Sequence, residues 1–356
     1  MRNVPGRKTD VSDCQWLQYL HSVGLLRASF RPEACMCALR SIFRHRDSLV
    51  KASSSYVLRM QKSLDQMNLK LHCVISDITG VTGTLIINAI LAGERDPHAL
   101  AKLKNQLIRA DEETIAKALD GNYLPEHLFT LKQSLASYTH CQTQIEECDK
   151  EIQKMLKEFD DQIDVKKYPL PPSNKGKKSR KPAPYMRQEL YRKIGVDLTM
   201  IDGVSIQTAM SFLTEVGPDL SRFPSEKHFV SWLGLCAGNK KSSGKQLSSR
   251  SPKVENRFSI ALRMAASTLK QAKSFLGEYY RRMKYRLGPP KAITATAAKL
   301  ARIIYVMVKN KTVFDPSIFI AKQKQREKNR VENLHKMAKE LGFKVVAIQG
   351  PAEGVS

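Results

Sequence analysis

"EACMCALRSIFRHRDSLVKASSSYVLRMQKSLDQMNLKL", residues 33–71, repeats Leu39, Phe43, Leu49, Tyr56, Met60, Leu64 and Met67 at helical intervals, with basic residues on the other faces. A helix of this length needs a partner, so the pattern predicts a helical arm or coiled coil. A partner lies downstream. In "LASYTHCQTQIEECDKEIQKMLKEF", residues 135–159, Leu135, Tyr138, Ile145, Cys148, Ile152 and Leu156 approximate a heptad seam. An antiparallel hairpin of these two segments is the simplest arrangement. The expected fold class is mainly α.

Around this hairpin the chain changes character. Residues 6–30, "GRKTDVSDCQWLQYLHSVGLLRASF", open with a turn and run into a helix carrying Trp16, Leu17 and Leu20 on one face, with Gly24 as its C-cap. Residues 74–96 read as two glycine turns and a short apolar helix. Residues 166–185, "KKYPLPPSNKGKKSRKPAPY", are too rich in Pro and Lys to build a core and read as an extended basic linker. Beyond it, "DLTMIDGVSIQTAMSFLTEVG" (197–217) sets a glycine turn between two short helices, with Ala209, Phe212 and Leu213 on an apolar face. This is similar to a helix-hairpin-helix, whose turn amides hold a DNA phosphate, although Ser205 stands where its second glycine would be. An ordinary helical turn fits equally well. Residues 229–238 read as a buried helix ending in glycine. Residues 256–288 read as one long basic amphipathic helix, 291–310 as a helix with small residues for close packing, and 321–343 as a basic helix. The expected domains are 1–30, a helical region 31–165, a linker 166–187, a C-terminal domain 188–315 and a tail 316–356.

The 356 residues carry 59 Lys and Arg against 34 Asp and Glu, a formal charge of +25, and 42% are hydrophobic. Such a chain can bury a core, and its basic surface suits a polyphosphate partner, because binding releases condensed counterions. A basic RNA-binding protein without chemistry of its own fits the charge as well. The seven cysteines show no metal-ligand spacing and read as reduced thiols of a cytosolic protein. No apolar run reaches the length of a membrane span and the N-terminus lacks the apolar stretch of a signal peptide, so a soluble cytoplasmic protein with no membrane partner is expected.

Two features could carry chemistry. Asp10 and Asp13, three residues apart on a helix, share a face and could hold Mg²⁺ for phosphoryl transfer. From spacing alone the plainer account is that Asp10 is an N-cap and Asp13 a residue favoured by the helix dipole. The second feature is "NKKSSGKQLSSRSPK", residues 239–253. A serine attacking a DNA phosphate needs cations nearby, and Lys240, Lys241, Lys245, Arg250 and Lys253 could supply them, followed by Arg257 and Arg263. Gly244 would let the backbone approach the nucleic acid closely. On composition alone, a solvated basic loop that touches phosphates without reacting is the plainer account.

"GRKTDVSDCQWL" resembles the GRKTD-x-x-D-A-x-W-L segment of bacterial transposases of the insertion-sequence one-ten type, related to the Piv and MooV DNA invertases. "SDITGVTGTLIINAILAGERDPHALAKL", "WLGLCAGNKKSSGKQLSSRSPKVENRFSIALRMAA" and "YYRRMKYRLGPPKAITATAAKLARIIYVMVK" are similar to their later segments in the same order. The resemblance implies an N-terminal RuvC-like (RNase H-fold) domain with a D-E-D-D metal quartet and a C-terminal domain with a nucleophilic serine. It implies Mg²⁺-dependent cleavage through a serine–DNA intermediate, acting on transposon-end and target DNA. In some members a structured RNA encoded by the element guides the reaction. The last two aspartates of the quartet correspond to Asp10 and Asp13, with Arg7 and Lys8 of the same motif and Gly203 of the glycine turn counted among the nucleic-acid contacts. The family's S-G-G-K pattern, anchored on Gly244 and Lys245, places the nucleophile at Ser242. Ser243 then occupies the first glycine position and stands as the fallback nucleophile.

The family's opening strand, first aspartate and glutamate precede the GRKTD motif, whereas here five residues do. The expectation is therefore an incomplete RuvC-like α/β remnant beside the coiled-coil hairpin and the helical transposase domain, with half of the metal site. The remnant's Trp16, Leu17, Leu20, Leu25 and Leu26 would then lie open. Two functions follow: a transposase, working as a dimer or tetramer and impaired by the missing ligands, or a non-catalytic DNA- and RNA-binding remnant.

Overall fold

A computed structural model describes residues 9–26, 30, 32–172, 184–238, 240–243, 245–248, 251, 252, 254 and 256–345. Among them the chain is mainly helical: α1 (Asp10–Ser22), α2 (Ala34–Gln66), α3 (Leu71–Val74), α4 (Val81–Ala92), α5 (Pro97–Ala101), α6 (Glu112–Ala118), α7 (Pro125–Glu158), α8 (Pro184–Ile194), α9 (Ile206–Glu215), α10 (Glu226–Trp232), α11 (Arg257–Thr268), α12 (Phe275–Leu287), α13 (Pro289–Asn310) and α14 (Ser317–Glu340). The described strands are β1 (Lys240–Ser242) and β2 (Lys245–Ser248), a two-stranded antiparallel sheet. None of the described helices is long and apolar enough to cross a membrane. The chain divides into two compact units, Cys35–Pro218 and Met1–Ala34 with Asp219–Ser356.

In the first unit α2 and α7 run antiparallel. Arg46 forks onto Asp149, Gln142 donates to Ser53 at 2.8 Å, and Ser63 meets Thr130 at 3.0 Å, so the partner number falls as the first rises. The seam buries Leu131, Ser134, Cys141, Ile145, Ile152 and Leu156 of α7, at the alternating three- or four-residue steps of a heptad with some skipped. Leu135, Tyr138 and Cys148, expected in the seam, are only partly buried. The turn between the long helices is itself a small domain. Met60, Leu64, Ile75, Ile86, Ile90, Leu100, Ile115 and Leu131 are among its buried core, drawn from α2 to α7. Each such side chain contributes about 1.5–3 kcal/mol of burial.

The two glycine turns expected over 74–96 fall at Gly80 and Gly93, and the third glycine of the stretch is Gly83. It lies inside α4, which Gly80 begins and Gly93 ends in the left-handed conformation. Its packing explains the residue: a Cβ here would sit 2.2 Å from the Ile78 carbonyl oxygen. Gly83→Ala should therefore destabilise by about 1–3 kcal/mol through overpacking, although alanine is the better helix former. A thermal melt with an unchanged or raised midpoint would refute the close approach.

Residues on either side of the basic linker are also built into this unit. Residues 173–183 lie outside the described part, but Pro184–Arg187, expected as linker, begin α8. Arg187 donates through Nε to Asp197 Oδ2 at 2.9 Å and through Nη2 to the Pro171 carbonyl at 2.7 Å. Buried Lys193 donates to the Phe159 carbonyl and to Asp161, which also takes Arg192 at 2.6 Å. Partial burial pushes the Asp161 carboxyl up, but the bonds from Lys193 and Arg192 outweigh it and hold it below the usual range. A lowered carboxyl contributes stability that is fully present above its unfolded value of about 3.9 and is lost as pH falls through the lower folded value. Melts from pH 7 down to pH 2 should show a steeper acid loss in the native chain than in Asp161→Asn; equal slopes would refute it. At the other end of α2, Arg44 grips the buried Glu215 carboxylate at 2.8 and 2.9 Å, and Arg40 donates to the Thr214 carbonyl at 2.9 Å. These bonds tie α9 to α2.

The second unit centres on aromatic packing. Phe223 lies 5.1 Å from both Phe30 and Phe229, and Phe229 lies 5.7 Å from Tyr305. The Tyr305 hydroxyl donates to the Phe223 carbonyl at 2.6 Å and accepts from Lys309 at 2.8 Å, so its polar end is satisfied inside the core. The single helix expected over 256–288 is two. A 3₁₀ turn at Leu269–Gln271 ends α11, and Ser274 caps α12 by accepting from the Gly277 amide at 3.4 Å. Gly277 permits the break, since a Cβ there would lie 2.1 Å from the Ala272 carbonyl oxygen. α12 and α13 then pack through Tyr280, Met283 and Ala292.

No residue of α1 is buried. Trp16 is 42% exposed, Leu17 49%, Leu25 67% and Leu26 43%, and Leu20 is partly buried, so the face expected to lie open does so. Residues 9–26 contribute this one helix and no strand.

Candidate active site

The N-cap of α1 is Thr9 rather than Asp10. Its Oγ1 accepts from the Ser12 amide at 3.2 Å and Ser12 Oγ accepts from the Thr9 amide at 3.2 Å, a reciprocal capping box. Asp10 and Asp13 occupy the first turn, where the helix dipole favours a carboxylate. Asp10 is exposed and Asp13 half-buried. Among the described residues no group of three or more His, Cys, Asp or Glu stands together to hold a metal ion.

The serine-rich stretch is not an irregular loop: it carries a β-hairpin. Lys241 pairs with Gln246 and Ser242 with Lys245, leaving a two-residue connection of Ser243 and Gly244. Ser243 has φ +47°, the sign that the first turn position of a type I′ hairpin requires. A register shift between Lys240 and Lys241 kinks β1 just before the serine. Ser242, Ser243 and Lys245 are all exposed. Ser242 thus ends a strand with a lysine directly opposite, while Ser243 is the turn.

The base of the hairpin is held by packing. Gly234 follows α10 with φ +65°, and a Cβ there would lie 2.6 Å from Val254 Cγ2. Arg263, on α11, donates to the Gly234 carbonyl at 3.4 Å, so it braces the base rather than projecting freely toward a ligand. Asn256 caps α11 by accepting from Ser259 at 3.1 Å, which places half-buried Arg257 at the first position of that helix. Lys240 and Lys241 lie in β1; Arg7, Lys8, Gly244, Arg250 and Lys253 lie outside the described residues. The structure brings Ser242, Ser243 and Lys245 together, and among the described residues no hydrogen bond or ion pair joins Asp10 or Asp13 to them.

Gly203 lies in the first unit, in a turn closed by the Val204 amide donating to the Ile201 carbonyl at 3.1 Å, and its φ of +82° is the value a type II turn demands. A 3₁₀ turn, Leu198–Met200, precedes it, and Ser205 caps α9 by accepting from the Thr208 amide at 3.2 Å. The serine in the second glycine position is therefore a helix cap.

Residues 197–281 match the model of the Transposase IS116/IS110/IS902 family. The matched segment holds the Gly203 turn, α9, α10, the hairpin with Ser242, and α11. It supports a transposase of the insertion-sequence type as the class to which this segment belongs. No curated protein matches the chain.

Proposed function

We propose that the chain is a DNA transposase of an insertion sequence and that Ser242 is its nucleophile. The observation that carries this is the placement of Ser242, exposed at the end of a strand opposite Lys245, inside the segment that matches the transposase family. Attack by Ser242 Oγ on a DNA phosphorus forms a serine–phosphate ester as the bond to one deoxyribose oxygen breaks, and the hydroxyl proton passes to the departing oxygen. One phosphodiester-type bond replaces another, so no external energy source is needed. Lys245 supplies positive charge where the phosphoryl oxygens gain it, and Lys240, Lys241, Arg250 and Lys253 belong to the same basic stretch. The partners are transposon-end and target DNA and a guide RNA, in a homo-oligomer.

In this reading α1 is the part of a RuvC-like domain that carries its last two aspartates, and Mg²⁺ is the ion they would help to hold. The second reading is nucleic-acid binding without chemistry, which the excess of 59 Lys and Arg over 34 Asp and Glu supports equally well.

Incubating the chain with labelled transposon-end DNA and Mg²⁺, followed by denaturing electrophoresis, separates the two. A covalent protein–DNA adduct whose peptide mass maps to Ser242 establishes the nucleophile. Tight DNA binding with no adduct in any condition establishes binding without chemistry, and an adduct on Ser243 moves the nucleophile by one residue.

A further inference from the structure

A second nucleic-acid feature lies away from the hairpin, on α12. Tyr285 is 97% exposed. Met283, two residues earlier and so about 200° around the helix, is buried against α13 with Tyr280 and Ala292. α12 therefore packs by its Tyr280–Met283 face and holds the Tyr285 ring out in water. A single exposed aromatic needs no explanation by itself. The setting of this one supplies a reason.

From Arg257 to Lys311 thirteen lysines and arginines stand against one carboxylate, Glu278, two helical turns before Tyr285. Lys284 and Arg286 flank the tyrosine in sequence, and Lys291 opens α13 just past the Gly288 corner; all three are exposed. One turn back, Arg281 is fixed by donating to the Ala272 carbonyl at 2.8 Å, and the Arg282 guanidinium stacks 5.4 Å from the Tyr279 ring. An outward aromatic face among exposed cations, with the stretch's one carboxylate two turns back on the same helix, has the two components that single-stranded nucleic acid requires. The ring stacks a base and the cations take the adjoining phosphates. Duplex DNA hides its base faces and could use only the cations.

We propose that Tyr285 is a stacking platform for an unpaired nucleobase, with Lys284, Arg286 and Lys291 contacting the neighbouring phosphates. The site takes an unpaired base from either an RNA or a melted DNA strand. The inference rests on the nucleic-acid reading above and adds to it a residue and a strandedness. It is independent of whether Ser242 reacts.

The test is fluorescence anisotropy of the full chain with labelled single-stranded RNA, single-stranded DNA and duplex DNA of one mixed sequence, comparing Tyr285→Ala and Tyr285→Phe with the native chain. One lost stacking contact should weaken single-strand binding by about tenfold in Tyr285→Ala. Tyr285→Phe should stay within about twofold, since the ring and not the hydroxyl stacks. Duplex affinity should be unchanged. A loss confined to RNA or to DNA assigns the source of the base. Unchanged single-strand binding in Tyr285→Ala overturns the platform, as does an equal loss in Tyr285→Phe or a parallel loss on duplex. Failure of the native chain to bind any of the three probes overturns the nucleic-acid reading itself, an outcome distinct from failure of the platform.

Discussion

Ser242→Ala is expected to abolish adduct formation and lower strand cleavage at least about a thousandfold, as removal of a nucleophile does, while leaving the fold intact. The structural half of that expectation follows from exposure: Ser242 is open to solvent at the end of β1, so its hydroxyl supports no buried network. Ser243→Gly is the companion. With φ at +47°, Ser243 holds a left-handed conformation that costs an L-residue about 1 kcal/mol or more and costs glycine almost nothing. Glycine is also what the resembled S-G-G-K pattern places there. Ser243→Gly should keep activity and tighten the hairpin. If Ser243→Gly abolished cleavage and Ser242→Ala did not, the roles of the two hydroxyls would be exchanged. If neither changed DNA binding or cleavage, the hairpin would be a phosphate-contacting loop and the serine chemistry would fall.

Legibility in the sequence followed periodicity. The long arms were legible because their apolar residues recur at helical intervals, and Ile145, Ile152 and Leu156 of the expected seam are buried. The hairpin was not, because lysine and serine are depleted from confident strand patterns and the composition mimics a solvated loop. Its one local signal was Ser-Gly between two short polar runs, the spacing of a two-residue turn. Asp10 was open to two assignments at sequence level; the side chain of Thr9, one residue earlier, decides which residue caps the helix. The break between α11 and α12 rests on Ser274 and on the absence of a Cβ at Gly277, whose meaning depends on where the Ala272 carbonyl lies. Tyr285 reads as one more apolar residue of an amphipathic helix until burial shows it on the outer face. Arg187, within the run of lysines and prolines, read as solvated linker; its partners lie on both sides of it in sequence and only the fold brings them together.

That last residue carries the largest expected effect on stability. Asp197, at the start of the segment matching the transposase family, has a side chain 4% exposed and sits against Arg187, 14% exposed. Asp197 also accepts from the Thr199 amide at 2.9 Å and hydroxyl at 2.7 Å, so both carboxylate oxygens are engaged. Arg187→Ala would leave that carboxylate buried with no cation, the circumstance in which breaking one side of an ion pair costs about 3–5 kcal/mol. It would also release the Pro171 carbonyl. The informative control is Asp197→Asn in the Arg187→Ala background. An asparagine keeps an oxygen for Thr199 and carries no charge to strand, so the double variant should recover part of the loss. Chemical denaturation followed by circular dichroism measures the coupling as a departure from additivity, expected at about 1–3 kcal/mol for two groups in direct contact. Additive losses would mean that the two side chains do not share a buried ion pair, and that α8 is held to the Gly203 turn region by apolar packing alone.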